Sequence, residues 1–80
     1  MEEVRRLSQL PPYGAACVSG IEDCGIKARL MSLGITEGAQ LVRLFSAASG
    51  DPTAYSVRGT VVALRKRDAE RILIGGGKWD

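Results

Sequence analysis

The stretch LGITEGAQLVRLFSAASGDP, residues 33–52, decides the fold because its glycines stand where the chain must change direction. Gly34 follows an apolar helical face and occupies the position at which a left-handed residue ends a helix. Gly38 lies in a turn just before an apolar segment, where glycine adopts a positive φ without steric cost. The stretch therefore predicts a helix end, a turn and a strand, and then a breaker-rich loop at residues 50–52.

A short helix is predicted immediately before Gly34. Ile26, Leu30 and Leu33 follow the i, i+4, i+7 spacing of one helix face, and basic residues occupy the other side. Ile35 can then cover the last helical turn by contacting Leu30, as a Schellman ending requires. We expect this to be the one convincing helix of the chain.

Most of the remaining chain is predicted to form strands and turns. The strand segments, chosen by alternation or β-branched composition, are residues 15–21, 40–47, 53–57, 60–64 and 72–74. Gly20 is a candidate bulge, and residues 65–71 are interpreted as a short helical turn capped near Asp68. Closing such strands removes exposed edges. The fold class is therefore mainly β, a small SH3-like barrel of about five strands with one short α-helix after the first strand.

The chain has room for one domain, because 80 residues bury only one small core. Leu7 and Leu10 precede Pro11 and Pro12, which predicts an extended entry segment. We take residues 1–80 as a single domain with a core of about residues 7–74 and a flexible tail at 75–80. The longest apolar runs are far short of a membrane span, and the first residues do not read as a secretory signal. A cytoplasmic location is expected.

Few side chains suit catalysis or metal binding. The sequence contains no histidine, which removes the commonest general base and transition-metal ligand, so we expect no enzymatic activity and no cofactor. Cys17 is expected to be a buried strand residue. Cys24 with Glu22 and Asp23 forms a minor candidate metal site, because two cysteines seven positions apart cannot complete a tetrahedral site alone.

Nucleic-acid binding is the main alternative to protein docking. The formal net charge of +2 is small, and the basic residues 65–67 are followed by acidic ones. A basic surface would use Arg43, Arg58, Arg65 and Lys66. We expect no nucleic-acid partner, since no aromatic platform accompanies these residues.

An apolar corner framed by glycines is what the sequence offers a protein partner. Leu33, Ile35 and Phe45 are each expected to belong to the core more than to an interface. The predicted docking surface surrounds the helix end and the loop after the second strand. Its candidate residues are Leu33, Gly34, Ile35, Gly50, Asp51, Pro52, Arg58 and Arg65.

Several short motifs follow one another along the chain. They are Pro12-Tyr13-Gly14, Arg29-Leu30-Met31-Ser32-Leu33-Gly34-Ile35 with Gly38, Gly50-Asp51-Pro52, Val57-Arg58-Gly59, and Ala63-Leu64-Arg65 with Ala69 and Ile72. In this order the motifs resemble the ferrous iron transport protein A (FeoA) family, and the resemblance covers roughly residues 7–74.

This resemblance implies a cytoplasmic bacterial protein with an SH3-like barrel. Such a protein would be an accessory to FeoB, the membrane GTPase transporter of ferrous iron, and would lie at the inner face of the membrane through that partner. The domain also resembles the SH3-like module of iron-dependent repressors. The resemblance does not decide between an activating, an inhibitory and an architectural effect on the transporter. A weak homo-oligomer is kept as an alternative to a monomer.

Overall fold

Six strands and two short helices follow one another in the computed structural model, which describes residues 5–23 and 25–75. The elements, in chain order, are β1 (Arg5–Arg6), a 3-10 turn (Leu7–Gln9), β2 (Ala15–Ile21), α1 (Lys27–Ser32), β3 (Gln40–Ser46), β4 (Thr53–Val57), β5 (Thr60–Leu64), α2 (Lys66–Ala69) and β6 (Ile72–Ile74). The predicted tail lies outside the described residues except for Gly75.

The strands form one antiparallel sheet in the order β1-β6-β2-β3-β4-β5. The first half of β2 pairs with β3 and its second half with β6. The register shifts between Val18 and Gly20, as the bulge prediction at Gly20 anticipated, and a bulge bends a strand so that it can serve two neighbours. The mainly β, SH3-like prediction is confirmed, with the two-residue β1 as the additional strand.

The core collects side chains from strands β2 to β6, from the 3-10 turn and from both helices. Burying each large apolar side chain contributes about 1.5–3 kcal/mol. Helix α1 supplies Leu30, which is 1% exposed, and so closes the core with a single side chain. The largest fully buried side chains are Leu7, Leu10, Leu30, Ile35, Leu41, Val57, Ile72 and Ile74.

The end of α1 has the predicted Schellman geometry. Gly34 has a φ of +95°, and its N–H donates to the Met31 carbonyl at 3.0 Å. The Ile35 N–H donates to the Leu30 carbonyl at 3.1 Å, and the Ile35 side chain is fully buried. These two bonds satisfy carbonyls that a helix end leaves free. The chain therefore leaves the helix and enters the core within two residues.

Two local predictions near the chain's short helical turns are wrong. The entry segment contains the 3-10 turn Leu7–Gln9 because the restriction imposed by Pro11 reaches only Leu10, which is extended. Helix α2 is not capped near Asp68, which lies inside its first turn. Its N-cap residue is Arg65, whose side chain makes no capping bond.

Three side chains expected in the core are exposed to different degrees. Cys17 is exposed because it alternates with the buried Ala16 and Val18 along β2. Phe45 is 66% exposed since the register of β3 shifts between Arg43 and Phe45, which turns Phe45 to the outer face. Leu33, at the end of α1, is 40% exposed. Of the four side chains predicted to be buried, only that of Ile35 is buried.

Replacing Gly34 with alanine is expected to destabilise the fold by about 1–2 kcal/mol, the cost of a left-handed conformation for a residue with a Cβ. The added Cβ would also lie 3.3 Å from Arg58 Cδ. Urea denaturation measures the loss. Gly20→Ala is the matched control, because a Cβ there meets nothing within 4 Å. Equal stability of the two variants would contradict the role of Gly34.

Candidate docking site

A groove of about 290 Å³ lies between α1 and the junction of β5 with α2. Its apolar walls include Leu33 from the helix end, Pro52 from the loop before β4, and Ala63 from β5. Leu30 of α1 is buried in the core, whereas Leu33 at the helix end is 40% exposed and lines the groove. The groove is partly apolar and partly polar, and protein interfaces commonly combine these two kinds of surface.

The rim of this groove is predominantly cationic. Arg29, Arg65 and Arg67 line it, and Asp68 is its acidic residue. Within residues 5–23 and 25–75, no carboxylate comes within ion-pair distance of these three guanidinium groups. The groove therefore combines apolar walls with positive charge that has no internal ion-pair partner.

Three of the predicted docking residues line one groove, whereas others are buried or contribute only through their backbone. Leu33, Pro52 and Arg65 line the same groove although they come from distant parts of the chain. Ile35 is fully buried, so it can only support the corner from below. Gly34 holds the helix end in place through its backbone conformation.

Asp51 stabilises the start of α2 next to the groove. Its Oδ1 accepts a hydrogen bond from the Lys66 N–H at 2.9 Å, which satisfies a free donor at the start of α2. The loop that carries Asp51 turns at Gly50, which has a φ of +92°, and the Ser49 hydroxyl donates to the Asp51 carbonyl at 2.9 Å. The loop therefore caps a helix from a distant position in the chain, and it places Pro52 at the groove.

Arg58 connects the β4–β5 turn to the end of α1. Arg58 and Gly59 have φ values of +51° and +80°, as a two-residue hairpin turn of the favoured hand requires. The Arg58 Nε donates to the Gly34 carbonyl at 3.3 Å, and its Nη2 donates to Thr36 Oγ1 at 3.3 Å. A cation at a helix C-terminus is favourable, so Arg58 stabilises the corner on which Leu33 sits.

The candidate metal residues do not form a ligand cluster in the described part of the chain. Glu22 binds the guanidinium groups of Arg6 at 3.0 Å and Arg71 at 3.4 Å. Hydrogen bonding from Arg6 is the main cause that lowers the pKa of the Glu22 carboxyl below its ordinary value of 4.5, and Arg71 adds to the shift. Asp23 is exposed, and Cys24 lies outside the described residues. No group of three metal-ligating side chains occurs among residues 5–23 and 25–75.

Two of the four basic residues of the nucleic-acid alternative are engaged in hydrogen bonds within the protein. Arg43 donates from Nη1 to the Leu10 carbonyl at 2.7 Å, and Arg58 binds the helix end. Arg65 and Lys66 remain exposed. The sequence predicts that Arg29 lies on the exposed side of the helix and that Arg67 lies in a charged helical turn. It does not predict that both line one groove with Arg65, because their proximity depends on the tertiary structure.

None of the helices in the described residues is long and apolar enough to cross a bilayer.

Asp51→Ala is expected to lower the free energy of unfolding by about 1 kcal/mol, the usual cost of removing a helix cap. The variant loses the acceptor for the Lys66 N–H. Asp51→Asn keeps an acceptor oxygen and should retain most of the stability. Urea denaturation distinguishes the two, and an Asp51→Ala protein as stable as the parent would show that the cap contributes nothing.

Stability is expected to fall in acid partly through Glu22. Its pKa is lower in the folded state, so the ion pairs stabilise the fold above the unfolded-state pKa and lose that contribution as the pH falls through the lowered folded-state pKa. The difference in urea midpoint between the parent and Glu22→Gln should therefore shrink with falling pH. Asp23→Asn, which removes a neighbouring charge outside these ion pairs, should change little at any pH. A pH-independent difference for Glu22→Gln would refute the linkage.

Comparison with known proteins places this architecture among characterised folds. The FeoA protein of Chlorobium tepidum is 32% identical, with a TM-score of 0.83 over 89% of this chain and 69% of its own. The FeoA of Stenotrophomonas maltophilia, an SH3 domain protein crystallised with zinc, is 29% identical, with a TM-score of 0.79 over 88% of each chain. No curated protein matches the chain.

The fold also occurs outside FeoA proteins. A manganese-dependent transcriptional repressor is 18% identical, with a TM-score of 0.81 over 94% of this chain and 42% of its own, which shows a shared fold alone. The family model of the FeoA domain matches residues 5–75, nearly all of the sequence. The chain therefore belongs to the FeoA family, which is linked to ferrous iron transport.

Proposed function

We propose that this protein is a non-enzymatic accessory of ferrous iron uptake that docks on the cytoplasmic region of the FeoB transporter. The observation that carries the proposal is the groove beside α1, where Leu33, Pro52 and Arg65 meet. Family membership supplies the link to iron transport, and the groove supplies a surface on which a partner can bind. In this proposal the protein lies at the inner face of the membrane because its partner does.

The composition of the groove favours a protein partner. Interfaces typically combine a small apolar centre, which loses its water, with a charged rim that sets orientation. Leu33 is 40% exposed and lines the groove together with Pro52 and Ala63, so a partner side chain can be buried there. Arg29 and Arg65 then lie where they can attract acidic groups of the partner.

The proposed docking surface includes supporting residues that do not touch the partner. Gly34 and Ile35 fix the end of α1, and Arg58 holds the Gly34 carbonyl. Asp51 positions the start of α2, while Gly50 allows its loop to turn. The whole of residues 1–80, with a core of about 7–74, is taken to act as one domain in this role.

Leu33→Gln is expected to weaken binding to the purified cytoplasmic region of FeoB by about tenfold, the effect of losing a contact worth about 1.4 kcal/mol. Glutamine is chosen because an acidic residue at the end of α1 would also oppose the helix dipole. Isothermal titration measures the affinity, with urea denaturation to verify that the variant folds.

Tyr13→Gln is the matched control. Tyr13 is 78% exposed and does not line the groove, so its replacement should leave the affinity unchanged. Equal losses in the two variants would mean that the partner does not use the groove. Failure of the parent protein to bind either the cytoplasmic region or the full transporter would overturn the proposed function.

A further inference from the structure

We propose that the free edge of β5 receives an extended, acidic segment of the docking partner as an additional strand. This inference rests on the proposed function, since it names how the partner of that same groove would bind. The sheet order ends at β5, which pairs only with β4 in the described residues. Such an edge presents backbone donors and acceptors to any chain that can align with it.

The hairpin geometry identifies which backbone groups face outward. Val57 and Thr60 flank the two-residue turn. In such a hairpin the N–H of each flanking residue donates to the C=O of the other. Because the pattern alternates along an antiparallel strand, Val61 and Ala63 direct their N–H and C=O groups away from β4. In residues 5–23 and 25–75, no hydrogen bond from elsewhere reaches these groups. Two donors and two acceptors are therefore available along this edge.

The edge is also accessible and leads into the groove. Val61 is 60% exposed, and Ala63 is exposed as well. Ala63 and Leu64 line the groove together with Leu33, which follows the last residue of α1. A strand laid along β5 would thus run into the groove, where its apolar side chains could contact Leu33 and Pro52.

The basic residues at the two ends of β5 favour an acidic segment as the additional strand. Arg58 precedes β5 and Arg65 follows it, while Arg29 and Arg67 line the groove alongside Asp68. A second copy of this chain fits poorly, because antiparallel pairing of two β5 strands would bring Arg65 of one copy close to Arg58 of the other. A segment that alternates apolar and acidic residues satisfies both the backbone and these cations.

A synthetic peptide of alternating Val and Glu residues tests the edge without the transporter. Added to the full chain, it is expected to slow amide exchange at Val61 and Ala63 by about tenfold, because their N–H groups become bonded. The same peptide with Lys in place of Glu is the charge control and should bind much more weakly. The same amides should be protected when the cytoplasmic region of FeoB binds.

Val61→Pro removes one outward N–H without breaking a bond to β4, and proline is tolerated on edge strands. It is expected to weaken binding of the Val and Glu peptide by about tenfold. Val61→Thr keeps both the N–H and the β-branched shape and should bind like the parent. Urea denaturation verifies folding of both variants, and the exchange measurement on the parent does not depend on either.

The outcomes separate this inference from the proposed function. If the FeoB region binds but leaves the Val61 and Ala63 amides exchanging freely, the strand addition is wrong and the docking function stands. If those amides become protected with rising concentration of the protein alone, the edge belongs to a second copy and the acidic partner is excluded. If neither the peptide nor the FeoB region binds, the strand addition falls together with the docking function.

Discussion

The left-handed turn at Gly34 is the constraint on which the rest of the molecule depends. Helix α1 gives the core only Leu30, so burial alone holds it weakly. The turn adds two hydrogen bonds at the helix end and sends Ile35 directly into the core. The same turn leaves Leu33 exposed at the C-cap of α1 and offers the Gly34 carbonyl to Arg58. One backbone conformation thus attaches the helix, couples it to the β4–β5 turn and creates one wall of the groove.

Two bulges determine how the sheet bends and which side chains reach its outer face. The irregularity near Gly20 lets β2 pair with β3 at one end and with β6 at the other, which gives the sheet its barrel-like curvature. The irregularity between Arg43 and Phe45 has a different consequence, since it changes which face the following residue occupies. Phe45 is exposed for this reason, although its spacing from the buried Leu41 predicts the same face.

Local features of the sequence predict local structure well and predict the groove poorly. The helix, its ending at Gly34 and the β4–β5 hairpin depend on residues within a few positions of one another, so spacing and glycine placement suffice. The Asp51 cap on Lys66 joins residues fifteen positions apart, and no pattern marks it. Cys17 is instructive, because alternation along β2 indicates an outward position while its residue type favours burial. Cys17 is exposed, so its position follows the alternation along the strand and not the preference of cysteine for burial.

The charge of the groove shows why composition is a poor guide to this surface. The whole chain carries a formal net charge of only +2, yet Arg29, Arg65 and Arg67 gather at one groove beside the single Asp68. Glu22, in contrast, lies between Arg6 and Arg71 away from this groove, so the small net charge of the chain conceals a local excess of positive charge. Basic residues that flank an open sheet edge repel another copy of the same edge. The same residues attract an acidic strand, so resistance to self-association and selection of a partner arise from one arrangement of charge.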